Sequence, residues 1–137
     1  MNGLEDTRIQ GFLDTKEIVI LATLKADGAP LAMPMWFLYD PAFLTMISEA
    51  GTHKVRNLRR DPRVCVVAEA GGAGAPLRGV TVQGFAEFLS DGPERRALVE
   101  RFHAKYPGLE AFWGGRAIPA DRVMFHVIPA SARGWGL

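Results

Sequence analysis

The segment Ala29–Leu38 is apolar on both of its faces. In an extended chain Leu31, Met33, Met35 and Phe37 fall on one side, and Ala32, Pro34, Trp36 and Leu38 on the other. Such a strand needs cover twice over, which a barrel interior supplies on one face and a partner subunit or ligand on the other. It follows Asp27-Gly28, a strong hairpin signal, and the β-branched run Ile18–Leu24 precedes that turn. The two runs are therefore expected to pair antiparallel. Pro34 has no amide donor, which places the second strand at a sheet edge or at a bulge.

The rest of the chain continues the β pattern. Asp40-Pro41 reads as a turn, Phe43–Ile47 as a third strand and Arg63–Glu69 as a fourth. The loop Ala70–Pro76 leads to a fifth, Gly79–Leu89, and Val123–Ile128 is a sixth. Leu4, Ile9, Phe12 and Leu13 have helical spacing. A second helix opens at Asp91-Gly92-Pro93-Glu94, carries Leu98, Val99, Phe102 and Tyr106 as its stripe, and stops at Pro107-Gly108. Six strands, short turns and few helices predict a mainly β chain folded as a small antiparallel barrel. With no repeat and no dividing linker, residues 1–137 are expected to form one domain.

Composition removes several function classes. The formal charge of +1 gives no global field for nucleic acid or anionic lipid, and the strands lack the interleaved aromatic and basic residues that stack single strands. No nucleic-acid or membrane partner is expected. Ile18–Leu24 is far shorter than the roughly 20 residues of a membrane helix. The first residues show no basic region followed by an apolar run, so no signal peptide is expected. Cys65 stands alone, which excludes a disulfide framework and paired-cysteine metal or redox motifs and suits a reducing cytoplasm.

The glycines at 71–74 follow a strand but lead to Pro76 and another strand, whereas a dinucleotide fingerprint must open a helix. There is no phosphate-binding Walker sequence, HExxH or GxSxG. His53, His103 and His126 are too scattered for a metal site, and His126 and Cys65 read as packing residues. One segment, Ser48–Pro62, breaks a rule. Thr52 is a good N-cap, Val55 and Leu58 give an apolar face, and Asp61-Pro62 ends the helix. His53 and Lys54 then stand in the first turn, where the dipole favours acidic residues. Free amides, Lys54 and nearby Arg56 would make a site for a phosphate or carboxylate, and a bound anion would remove the conflict. Arg59 and Arg60, at the other end, suit the dipole as a solvated face.

Leu21-Ala-Thr-Leu24, Asp27-Gly-x-Pro30, Pro34-Met-Trp-Phe37, Thr52-His-Lys54 and Asn57–Val64, taken in order and followed by Arg78–Glu87, resemble the pyridoxamine 5'-phosphate oxidase-like flavin and deazaflavin proteins. The likeness covers nearly the whole chain. It implies a split β-barrel of the FMN-binding type, a homodimer, and FMN or the deazaflavin coenzyme F-420 in a cleft between subunits. It also implies that Thr52 and Lys54 contact cofactor phosphate, in agreement with the anion argument, and that Pro34–Phe37 lines the flavin ring. In the vitamin-B6 oxidases themselves the second strand carries an arginine for FMN phosphate, and a C-terminal arginine segment grips substrate phosphate. Here Leu31–Phe37 holds no cation and the chain ends Arg133-Gly-Trp-Gly-Leu137, which sets it apart from them.

The expected function is an oxidoreductase in which the cofactor transfers hydride to or from a small molecule while the protein positions it. Lys54, Thr52, His53, Arg56 and Asn57 are the candidates for phosphate binding, and Pro34, Met35 and Trp36 for the ring; Trp36 suits the core equally well. No catalytic acid or metal ligand is assigned. The alternative is a non-catalytic flavin or haem carrier on the same barrel.

Overall fold

The computed structural model describes residues 2–137. The elements run α1 (Thr7–Asp14), β1 (Ile18–Leu24), β2 (Pro30–Trp36), β3 (Leu38–Asp40), β4 (Phe43–Glu49), α2 (His53–Arg60), β5 (Arg63–Ala70), β6 (Arg78–Leu89), α3 (Pro93–Lys105), α4 (Leu109–Trp113) and β7 (Arg122–Trp135). Among the described residues seven strands, against six expected, form one sheet in the order β2-β1-β5-β6-β7-β4-β3. Every pairing is antiparallel. The two edges, β2 and β3, are separated in sequence by Phe37 alone. A sheet with its edges so joined has to curl until they meet, and the result is a split half-barrel.

The extra strand arises at that junction. The expected continuous strand Ala29–Leu38 is cut because the Phe37 backbone leaves the ladder. Its amide donates to the Tyr106 hydroxyl at 2.9 Å, and its carbonyl accepts from Lys105 Nζ at 2.8 Å. The Tyr106 hydroxyl shares its proton between Glu17 O at 2.7 Å and Phe37 O at 3.0 Å. Side chains from the end of α3 thus replace ladder partners at the split. Pro34 lies on edge strand β2, opposite Ile20, where its missing amide costs no ladder bond.

Inside the curl, Val19, Leu21, Phe37, Leu44, Met46, Val66, Val80, Val82, Phe125 and Val127 form the main core. The α1 residues Ile9, Phe12 and Leu13 plug one end, and Leu58 of α2 packs from another side. On the opposite face of β4 and β7 a second core joins Leu98, Val99, Phe102 and Tyr106 of α3 to Leu109 and Met124. His126 lies beside it, buried between Thr45 (Nδ1 to Oγ1, 2.9 Å) and Glu94 (Nε2 to Oε1, 2.8 Å), as a packing residue should be.

Two elements depart from the sequence reading. β7 runs on to Trp135 instead of ending at Ile128, because the register shift between Gln83 and Gly84 absorbs the donorless Pro129. Gly84 is required there, since a Cβ would run into Ile128 O and Pro129 Cα. The short helix α4 was not expected beyond Pro107-Gly108, and it ends on Gly114 in the left-handed region at φ 76°.

Candidate functional site

Where α2 begins, the ends of β4 and β7 and the edge strand β2 enclose a cleft of about 420 Å³ with α4. Its polar end holds Lys54, Thr52, Ser48, Glu49 and Arg122, and its apolar wall holds Met35, Trp36, Ile47, Phe102, Leu109, Phe112 and Trp113. Ile18 and Pro34 complete the rim.

Thr52 takes the N-cap position of α2 in extended conformation (φ −79°, ψ 159°), but its side chain does not cap. That part of the sequence reading needs correction: the hydroxyl turns back to donate to Glu49 O at 3.0 Å and lies 3.3 Å from Ser48 Oγ. The opening amides of α2 therefore receive neither a side-chain acceptor nor an acidic neighbour in the first turn. Lys54 stands among them. Burial pushes its ammonium below the ordinary lysine value, and the Glu49 carboxylate opposes that shift in part. Across the polar end, Arg122 is mostly covered, 2.6 Å from Asp121 and 3.6 Å from Glu49. Arg122 is thus matched by two carboxylates, and Lys54, which makes no ion pair among the described residues, is left with the row of free amides as the donors of this end, which is a setting for an oxyanion.

The wall opposite is aromatic. Trp36 stacks on Tyr106, with centroids 5.1 Å apart and planes 23° apart, and meets Phe112 edge-on at 5.9 Å. Trp36 is 39% exposed and Phe112 67%, so both turn much of their ring surface to solvent at the cleft. Trp113 is fixed from behind by His103, whose Nε2 meets Arg116 O at 2.8 Å.

Pro34, Met35, Trp36, Thr52 and Lys54 all line this one cleft. His53, Arg56 and Asn57 do not line the cleft. His53 is exposed on the first turn of α2. Arg56 donates to Gly51 O at 2.7 Å and closes the preceding loop. Asn57 is buried, donating to Thr23 Oγ1 at 3.0 Å and accepting from Arg60 at 2.9 Å, so it ties α2 to β1. Ser48, Arg122, Phe112 and Trp113 were missed. Phe112 and Trp113 are large aromatics that the sequence pattern leaves outside any element, whereas nothing local marks Arg122 as sharing a cleft with Lys54.

The family model described as pyridoxamine 5'-phosphate oxidase matches residues 6–136. The chain belongs to this family. A pyridoxine/pyridoxamine 5'-phosphate oxidase from Thermobifida fusca is 34% identical over 111 residues, which is 80% of this chain and 49% of that protein. The chain spans about half the length of that relative. Among solved structures, the conserved hypothetical protein Rv2991 of Mycobacterium tuberculosis superposes with TM-score 0.79 at 26% identity, covering 95% of this chain and 83% of the other. A FAD-binding protein from Mesorhizobium loti gives TM-score 0.76 at 23% identity, with 93% and 90% covered, and shares the fold. The split barrel of the pyridoxamine 5'-phosphate oxidase family is thus the architecture of this chain. The cleft itself sets cations and free amides at one end against flat apolar surface at the other.

Proposed function

We propose that this chain is a flavin- or deazaflavin-dependent oxidoreductase acting on a small organic molecule, with FMN as the first choice of cofactor and F-420 as the alternative. The observation that carries the reading is the pairing, in one cleft, of the uncapped α2 terminus and Lys54 with the aromatic wall at Trp36. Lys54, Arg122 and the first amides of α2 would hold the phosphate, with the Thr52 and Ser48 hydroxyls beside them. Met35, Trp36 and Pro34 would support one face of the ring system, and Phe112 and Trp113 would exclude water from its surroundings. The cofactor, when bound, supplies hydride transfer. The chain supplies charge compensation, orientation and a dry wall.

Vitamin-B6 oxidation, the activity named for the Thermobifida relative, has less support, because β2, Pro30–Trp36, lacks the arginine that meets FMN phosphate in those oxidases. A haem carrier has less support, since no histidine or cysteine is among the residues lining the cleft.

Assembly belongs to the same proposal. Ile18, Ile20 and Phe85 are exposed apolar side chains, at 41%, 37% and 44%. Ile18 and Ile20 face outward beside Trp36 and Pro34 on the register of β1 and β2. Since Ile18, Pro34 and Trp36 also rim the cleft, a second copy seated on this sheet face would close it, and we infer a two-fold homodimer in the cytoplasm. No described helix is long and apolar enough to cross a membrane.

The test is direct. FMN, F-420 and NAD are added separately to the apo protein and melting is followed; FMN or F-420 should raise the midpoint by mass action and NAD should not. Stabilisation by neither flavin nor deazaflavin at saturating concentration would refute the cofactor assignment, and a monomer in sedimentation at micromolar concentration would refute the dimer.

A further inference from the structure

Arg122 borders a second pocket, of about 300 Å³, together with Arg59, Arg95, Ser90 and Asp91. Arg59 comes from the last turn of α2, and its guanidinium lies 3.8 Å from the centroid of the Phe88 ring. Arg95 comes from the first turn of α3 and donates through Nη2 to Arg122 O at 3.0 Å. Its Nε is buried and meets no acceptor among the described residues. The carboxylate of Asp91 faces Arg96 at 3.8 Å, and Arg122 is already matched by Asp121 and Glu49. Among the described residues, neither Arg59 nor Arg95 takes part in an ion pair.

Guanidinium groups gathered in this way repel one another, and the positive end of α3 adds to their field. A buried N–H without an acceptor is costly, and an orphan of this type calls for a partner. The planar fork of arginine matches the oxygens of phosphate and carboxylate. Stacking on Phe88 holds Arg59 in place with its donors unspent. We propose that Arg59 and Arg95, beside the Arg122 that borders both pockets, form a second anion site, separate from Lys54, that takes a compact oxyanion. The anion is either free or carried as a second charged group on the ligand of the adjoining cleft. The site stands apart from the flavin reading, because inorganic phosphate tests it without any cofactor.

Inorganic phosphate is titrated calorimetrically, at constant ionic strength, into the full chain and into Arg59→Gln, Arg95→Gln and Lys54→Ala. The expected result is a saturable event that survives Lys54→Ala and weakens roughly tenfold to a hundredfold in each arginine variant, as for loss of a hydrogen bond to a charged group. Arg59 is exposed, so Arg59→Gln should fold as the wild type does, and it decides the matter even if Arg95→Gln proves unstable. No saturable event in the wild type overturns the proposal, as does an event lost in Lys54→Ala and kept in Arg59→Gln. FMN and FAD titrations then separate the sources. A tighter FAD complex whose advantage disappears in Arg59→Gln supports an anion carried on the cleft ligand, and equal affinities support a free one.

Discussion

Removing one oxygen atom from Tyr106 tests how the barrel is closed. In Tyr106→Phe the Phe37 amide loses its acceptor, which lies 2.9 Å away, and Phe37 is fully buried, so water cannot take its place. The Phe37 carbonyl keeps Lys105 Nζ at 2.8 Å, which confines most of the damage to the one N–H and to Glu17 O. A buried donor left unsatisfied costs about 1–3 kcal/mol, and the loss should fall in that range because deleting the hydroxyl also removes its own desolvation cost. The ring remains, so the stack on Trp36 at 5.1 Å survives.

Tyr106→Leu deletes the stack as well and should cost roughly 0.5–1.5 kcal/mol more beyond the change in buried area. Urea unfolding at fixed protein concentration measures both. With m of about 1–3 kcal/mol/M, Tyr106→Phe should lower the midpoint by roughly 1 M and leave m unchanged. The Phe37 amide should also lose protection from hydrogen exchange. A midpoint shift below about 0.3 M, or equal losses in the two variants, would refute the view that this hydroxyl replaces a ladder partner.

Lys105, pushed down to about 8 from the ordinary 10.5 chiefly by burial, binds its proton less readily folded than unfolded, so stability should rise with pH between those two values. Lys105→Met should flatten that rise in urea titrations run across the window, and an unchanged slope would count against it. Burial raises the Tyr106 phenol to about 12, so its contribution is complete below the unfolded value of 10 and fades as pH climbs toward 12; Tyr106→Phe should remove that fall. Lys54→Ala should weaken FMN or F-420 about tenfold to a hundredfold while leaving the apo protein as stable or slightly more so, because a cation leaves the first turn of α2. Unchanged affinity together with a less stable apo form would make Lys54 a structural residue. Gly84→Ala should destabilise by about 1–3 kcal/mol or more through the clash with Ile128 O, as read from chemical unfolding; a neutral effect would mean that the bulge can shift.

The parts of this fold that were legible are those whose cause is local. The run Ile18–Leu24 is β1 residue for residue, and Gly28 takes the positive φ, 85°, that a tight turn requires. Pro34 sits at an edge because its own ring forbids anything else. What was not legible depends on distant partners. The break at Phe37 is made by Tyr106 and Lys105, far along the chain, and no feature within Ala29–Leu38 announces it. The passage of β7 through Pro129 needs Gly84 across the ladder. The same division runs through the site: Lys54 was legible because it conflicts with its own helix, whereas Arg122 became a candidate only once β7, paired with β4, carried it to the same cleft.

Closure of the sheet and shape of the cleft are one mechanical problem in this chain. Trp36 and Leu38 flank Phe37, so the helix that fixes Phe37 also fixes where the wall of the cleft begins. Tyr106 does both, its hydroxyl at the backbone of Phe37 and its ring under Trp36. Phe102, one turn earlier, stacks on Tyr106 at 6.2 Å and lines the cleft itself. The chain then continues from Tyr106 into α4, which delivers Phe112 and Trp113 to the same wall. At the opposite end Lys54 is set by α2, which Asn57 and Arg60 clamp to β1 through Thr23 and Leu24. The distance between the cationic end and the aromatic wall is therefore set by α2 and α3, and the curled sheet holds both. A ligand that spans the two ends must match a length that the protein has already fixed, which favours binding without rearrangement.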